Sequence, residues 1–94
     1  GYVPRDAKER SVALAKLEKT SKQLNQTQLF IETPYRNHAL LETLLKTCRP
    51  DTYLTIAANL TLPDAFQETH TIQEWKTKKV NIQKKPAVFG LLSA

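Results

Sequence analysis

The chain has no methionine, two glycines, one cysteine and one tryptophan in 94 residues. Each scarcity excludes something. A lone cysteine cannot close an internal disulfide, and no Cys or His pair stands at ligand spacing, so disulfide scaffolds and metal centres are both set aside. The only glycines are Gly1 and Gly90, which leaves no glycine-rich loop to cradle a phosphate. No apolar run approaches the roughly 20 residues of a membrane span, and no signal-peptide pattern opens the chain. With the unpaired Cys48, these absences lead to the expectation of a cytoplasmic protein that contacts no membrane. His38 and His70 are isolated, and no serine sits in a nucleophile elbow or beside an oxyanion signature, so no catalytic residue is assigned. The missing first methionine and the turn chemistry of Gly1-Tyr2-Val3-Pro4 read as a piece cut from a longer protein.

What is present is enough for one domain over residues 1–94. A chain of this length buries roughly 60–70% of the surface its unfolded form exposes. Fourteen Lys and Arg against nine Asp and Glu give a net charge of +5, a bias toward polyanionic partners that names none of them.

The pattern of apolar residues alternates between helix and strand. Asp6 and Glu9 form a capping-box pair ahead of a helix through Leu24, with Val12, Ala13, Leu14, Leu17 and Leu24 expected on its buried side. Leu29 to Glu32 favours a strand. Pro34 suits the first turn of a second helix, in which Leu40, Leu41, Leu44, Leu45 and Cys48 recur at helical spacing, and which ends before Pro50. Tyr53 to Leu60 alternates as a second strand, with Leu54, Ile56 and Ala58 inward. Phe66 to His70 is a short third strand. Thr71 and Glu74 form another capping box, opening a helix over Ile72 to Val80 with Ile72 and Trp75 facing the core. Ala87 to Leu92 is a last strand, nearly continuous in apolar residues, in which Gly90 marks a bulge or a close backbone approach. The order predicts an α/β fold: a mixed β-sheet of four to five strands flanked by about three helices.

Three strand ends carry polar chemistry. The first closes on Glu32-Thr33-Pro34-Tyr35-Arg36 and the second on Asn59-Leu60-Thr61-Leu62-Pro63-Asp64, while Lys84-Lys85-Pro86-Ala87 leads into the last. In open α/β sheets ligands gather beyond the carboxyl ends of strands. There a carboxylate such as Glu32 can accept from an amine or hydroxyl, Arg36 can clamp a phosphate or carboxylate, and Asn59 can read a polar edge. The plainer alternative is that Glu32 and Arg36 pair at the start of a helix and Asn59 makes a turn, and residue chemistry alone favours it. A second candidate is the basic run of Lys76, Lys78 and Lys79 with Lys84 and Lys85, which can meet RNA phosphate if it is presented on one face. It lacks the ladder of aromatics that stacks on bases.

The ordered segments GYVPRDAKER, LFIETPYR, IAANLTLPDAF, THTIQEW and PAVFGLL resemble the C-terminal domain of the tetrapyrrole methylase superfamily, most closely the branch of 16S ribosomal RNA 2′-O-ribose methyltransferases. Gly1, Tyr2, Pro4 and Arg10 match that branch's opening segment. Glu32, Thr33, Pro34 and Arg36 match a strand end that has His where Tyr35 stands here. The resemblance implies the C-terminal domain of a two-domain S-adenosyl-L-methionine-dependent methyltransferase. Its partners would be an N-terminal cofactor domain of the same chain, a second copy in a homodimer, and RNA. By motif position, the cofactor contacts it implies are Glu32 and Thr33, Asn59 and Leu60, and Pro86 and Ala87, with Arg36, Lys76, Lys78 and Lys79 toward substrate or RNA. Two departures separate the chain from the rRNA branch. Ala58-Asn59-Leu60-Thr61-Leu62 stands where that branch has Arg-Glu-Leu-Thr-Lys, and Tyr35 replaces a group that titrates near neutral pH. An rRNA ribose or a tetrapyrrole is therefore the expected methyl acceptor.

Overall fold

A computed structural model describes residues 4–93 of the chain. Gly1 and Tyr2, and with them part of the opening motif, lie outside the described residues.

Helix α1 (Ala7–Leu24) starts where Asp6 Oδ2 accepts the Glu9 N–H at 3.0 Å, and ends on Asn25 in the left-handed region, φ 52°. Its buried stripe is Arg10, Leu14, Glu18 and Ser21. Val12 and Leu24 were expected inside and are exposed. Long-range hydrogen bonds decide the difference. Glu18 Oε2 accepts from the Arg49 N–H (2.8 Å) and the Thr52 hydroxyl (2.5 Å), and Ser21 Oγ accepts from the Ser93 N–H (2.9 Å). Arg10 closes the start of the helix by donating to the carbonyls of Pro4 (3.3 Å) and Arg5 (2.7 Å). The polar side of α1 thus satisfies backbone that would otherwise be buried unpaired.

Strand β1 (Gln28–Ile31) runs through Glu32 and Thr33 into a single 3₁₀ turn, Pro34–Arg36, and then into α2 (Asn37–Thr47). Pro34 occupies the first position of that turn, where its missing N–H costs nothing. Strand β2 (Tyr53–Ala58) follows, with Leu54, Ile56 and Ala58 buried in strict alternation. Strand β3 (Phe66–Thr71) passes directly into α3 (Ile72–Trp75), whose capping box is complete: the Glu74 N–H reaches Thr71 Oγ1 and the Thr71 N–H reaches Glu74 Oε1. Hydrogen bonding within this box holds the Glu74 carboxyl below its usual range. The expected helix to Val80 stops after one turn. Bonds from Thr77 to Glu74 and from Lys78 to Trp75, each spanning three residues, tighten its end. Strand β4 (Ala87–Leu92) completes the sheet.

The strand order is β1-β4-β2-β3. A mixed sheet was expected, and all three pairings are antiparallel. The reason is topological. The β1-α2-β2 crossover sets β1 and β2 in the same direction, but β4 inserts between them, just as β2 inserts between β3 and β4. Each helical crossover therefore spans a split β-α-β unit. The α/β class, the four strands and the three α-helices agree with the sequence reading.

The helices share a core with one face of this sheet: Leu14, Leu40, Leu44, Ile72 and Trp75 pack with Phe30, Leu54, Ile56, Phe89 and Leu91. Phe30 and Phe89 face each other across β1 and β4 with centroids 5.7 Å apart. Gly90 is a close approach rather than a bulge, since the register is unbroken on both sides of it. A Cβ there would stand 3.0 Å from Thr27 Cγ2 and 3.2 Å from Leu29 Cδ2.

Cys48 caps α2 and is buried, as its helical spacing implied. Burial first, and the Glu18 carboxylate second, push its thiol up to about 12 from 9.0. A proton held more tightly in the fold than in the unfolded chain stabilises the fold fully below pH 9.0, and that share is lost as pH rises toward 12. Wild-type protein is therefore expected to lose stability between these limits more steeply than Cys48→Val in urea unfolding. At pH 8 the native thiol is expected to resist a disulfide reagent that labels it in urea. Equal alkaline slopes in the two proteins, or fast native labelling, would contradict this.

Candidate functional site

The register decides where the polar strand ends go. Ala58 pairs with Ala87, and Ala57 and Ile31 both pair with Val88. The carboxyl ends of β1 and β2 and the amino end of β4 therefore share one edge. Glu32 with Thr33, Asn59 with Leu60, and Pro86 with Ala87 follow or open those strands side by side.

Glu32 is the innermost group there. Its side chain is 1% exposed. One oxygen, Oε1, accepts from the Thr33 N–H at 2.7 Å and from Arg36 Nη1 at 3.4 Å, while the other, Oε2, is buried with no partner. Arg36 Nη1 also donates to Thr33 Oγ1 at 2.7 Å. The Glu32-Arg36 pair at the start of the helix therefore exists, and it occupies only half of the carboxylate. Arg36 keeps 28% of its side chain exposed, so it can still meet an anion while holding Thr33.

Asn59 adopts the left-handed conformation, φ 53°, one of the few side chains that tolerates it. Its N–H donates to the Pro86 carbonyl (3.0 Å), its carbonyl accepts from Leu62 (2.8 Å), and its Nδ2 donates to Asp64 Oδ2 (3.1 Å). It shapes the 59–65 loop and ties it to β4. Leu60 and Pro86 are exposed at this rim, and Ala87 is buried beneath it.

Asn37, which its sequence context did not single out, supports the same edge. Fully buried at the start of α2, it donates from Nδ2 to the carbonyls of Ile82 (2.7 Å) and Lys85 (2.6 Å). Its Oδ1 is buried without a partner. Two more bonds hold the 82–86 loop against the 3₁₀ turn: Gln83 Nε2 to the Tyr35 carbonyl (2.6 Å) and the Lys84 N–H to the Pro34 carbonyl (2.9 Å). A polar residue at a helix start has no periodic signature, and its partners lie 45 and 48 residues away.

The lysine run is arranged differently. Helix α3 begins at the far end of the sheet, where Thr71 pairs with Tyr53, and the chain returns from there to Pro86. Lys76, Lys78 and Lys79 are exposed along that return. Lys78 and Lys79 rim a shallow groove of about 340 Å³ floored by Leu41, Leu45 and Val80. Lys79 also lines a second groove with Phe66, Lys85 and the carboxylate-bearing Glu68. Glu68, on the sheet beside it, is held below the usual carboxylate range chiefly by its hydrogen bond to His70.

Among the described residues no three metal-ligating side chains cluster, and no helix is long and apolar enough to cross a membrane. No family model matches the chain, and no curated protein matches it in sequence. Its fold is similar to that in the crystal structure of the methyltransferase CobJ. The TM-score is 0.56 at 14% identity, over 100% of this chain and 40% of that one. The chain therefore spans well under half the length of the protein it matches.

Proposed function

We propose that this chain is the C-terminal part of an S-adenosyl-L-methionine-dependent methyltransferase of the tetrapyrrole methylase superfamily, and that its polar sheet edge forms one wall of a cofactor cleft completed by an N-terminal domain. The observation that carries this reading is the convergence of Glu32-Thr33, Asn59-Leu60 and Pro86-Ala87 on a single edge, with the buried Glu32 Oε2 unpartnered. The likeness in fold to a methyltransferase supports it. The cofactor fits the donor set: a desolvated carboxylate oxygen without a donor suits an amine or hydroxyl, both of which this cofactor carries. When bound, it supplies a methyl group activated on a sulfonium. The chain's own part is binding and placement. Glu32 accepts from the ligand, Thr33 and Arg36 hold Glu32 in orientation, and Asn59 keeps Leu60 and Pro86 at the rim. Alignment of this kind accounts for much of the rate in transfers between two bound groups. On its own the chain is inactive, because it contributes one wall of the cleft.

The methyl acceptor in this reading is an rRNA ribose or a tetrapyrrole. A non-enzymatic basic RNA-binding module is the alternative, favoured by the exposed Lys76, Lys78 and Lys79. An amide-shift titration with S-adenosylhomocysteine separates the two. Shifts are expected at residues 32–36, 59–60 and 86–87, and Glu32→Gln is expected to weaken binding about 10-fold or more, the worth of one hydrogen bond to a charged group. An unchanged affinity in Glu32→Gln would remove the cofactor reading, and no shifts at millimolar ligand would mean that this chain does not bind cofactor unaided and would raise the alternative. Shifts confined to the three lysines on adding single-stranded RNA, and lost at high salt, would favour the alternative.

A further inference from the structure

The groove between α2 and the chain's return from α3 takes no part in the cofactor edge. Helix geometry sets its floor. Asn37, Leu40 and Leu44 turn into the core, so Leu41 and Leu45, four residues apart, come to the shoulder of α2, where each is only half-buried. Val80 closes the floor from the other side, and all three pack against the core. Lys78 and Lys79 stand exposed on the rim. Among the described residues neither closes an ion pair. Glu68 and Glu74 feel the charge of Lys78, but each is held by a hydrogen bond of its own, to His70 and Thr71. Glu42 is the carboxylate in the lining. His38, at the groove's end, is spent on the loop, taking up the Ile82 N–H at Nε2 (3.4 Å).

We infer that this groove docks a short acidic amphipathic segment of another protein, its apolar side chains on Leu41, Leu45 and Val80 and its carboxylates against Lys78 and Lys79. The inference goes beyond the cofactor reading and does not rest on it. The choice of occupant comes from charge and from the floor. Two cations without ion-pair partners face one carboxylate across the rim, and a chain of net charge +5 steers an acidic partner toward them. The aliphatic floor asks for apolar side chains in addition. Nucleic acid is disfavoured, because no Phe, Tyr or Trp lines the groove to stack on a base and Glu42 repels phosphate. At about 340 Å³ the groove stands near the lower end of ligand pockets, roughly 300–1,000 Å³. It therefore takes the anchoring side chains of a segment, such as an amphipathic helix presents three and four residues apart, rather than the face of a domain. So small a contact makes the association weak and reversible.

An amide-shift titration of the 94-residue chain with a synthetic helical peptide of leucine and glutamate, its leucines three and four residues apart, tests the proposal. Shifts are expected at residues 41–45 and 78–80, with a dissociation constant of roughly micromolar to submillimolar size. Alanine in place of the peptide's leucines is expected to weaken binding roughly tenfold or more, which a purely ionic contact would not show. Lys78→Glu combined with Lys79→Glu is expected to weaken the acidic peptide by roughly tenfold or more, and to admit a leucine and lysine peptide instead. Lys16→Glu combined with Lys19→Glu makes the same change of net charge on exposed positions of α1 and is expected to alter affinity less than about threefold. Circular dichroism melts establish that both double variants are folded. No groove shifts at millimolar peptide overturn the inference. An alanine peptide that binds as well, or an α1 variant that weakens binding as much, overturns it too. Shifts at the same residues from single-stranded oligouridylate, with none from the peptide, overturn it in favour of nucleic acid. Groove shifts that grow with the chain's own concentration, without peptide, overturn it in favour of a second copy. None of these readouts involves cofactor, so failure of the groove and failure of the cofactor reading are told apart.

Discussion

Trp75→Ala is expected to destabilise the chain by about 3–5 kcal/mol, the cost of removing a large buried aromatic. For a domain of this size that lowers the melting temperature by roughly 15–30 °C. Trp75 is the last residue of α3, a helix of only four residues that has no stability of its own. Three interactions hold it: burial among the core side chains, an Nε1–H bond to the Leu54 carbonyl at 2.8 Å, and an edge-on contact with His70 at 4.9 Å between ring centroids. Losing the indole therefore removes core volume and also releases the segment that turns the chain back from β3 toward β4. Trp75→Phe keeps most of the volume, loses the hydrogen bond, and is expected to cost about 1–2 kcal/mol. Urea unfolding followed by circular dichroism measures both. A loss below about 1 kcal/mol for Trp75→Ala would mean that α3 is not anchored as described.

Asn37→Asp is expected to have the second largest effect, about 2–4 kcal/mol, although it changes a single atom group. The aspartate keeps the shape but loses the Nδ2 donor shared by the Ile82 and Lys85 carbonyls, so one buried and one part-buried acceptor lose their partner and a carboxylate is placed opposite them. Because those carbonyls belong to the loop that delivers Pro86, the effect should extend to the candidate edge. Amide exchange at Asn59, whose N–H bonds the Pro86 carbonyl, is expected to accelerate along with exchange at Lys84, whose N–H bonds the Pro34 carbonyl. A fully folded variant with unchanged exchange at both amides would show that Asn37 does not brace the edge. Cofactor affinity should fall in the same variant if Pro86 and Ala87 line the cleft, which links this stability test to the functional reading.

Individual elements were readable because their signals are local. The alternation of Leu54, Ile56 and Ala58, the helical spacing of Leu40 and Leu44, Pro34 at a helix start and the Thr71-Glu74 box each depend on neighbours a few residues apart. Reading failed where the partner is distant. Glu18 and Ser21 are buried on α1 because Arg49, Thr52 and Ser93 need acceptors, and nothing within α1 announces those donors. Val12 is apolar and exposed for the converse reason: among the described residues nothing covers the face it occupies. The same holds at the candidate site, where Glu32 was legible as a polar strand end but the unpartnered state of Oε2 was not.

The sequence by itself determined where helices and strands begin, that the chain carries a net charge of +5, and that its strand ends carry a carboxylate, a guanidinium and an asparagine. Periodicity, capping and proline geometry act over a few residues, so they survive in a linear reading. Only the tertiary structure decided that β4 slots between β1 and β2. That insertion makes the sheet antiparallel throughout and gathers the three strand ends on one edge. The pairings of β4 join residues 29 to 63 positions apart, chosen by which arrangement buries Phe30, Ile56 and Phe89 together under the helices. That choice is a property of the packed core as a whole, and no local stretch of the chain contains it.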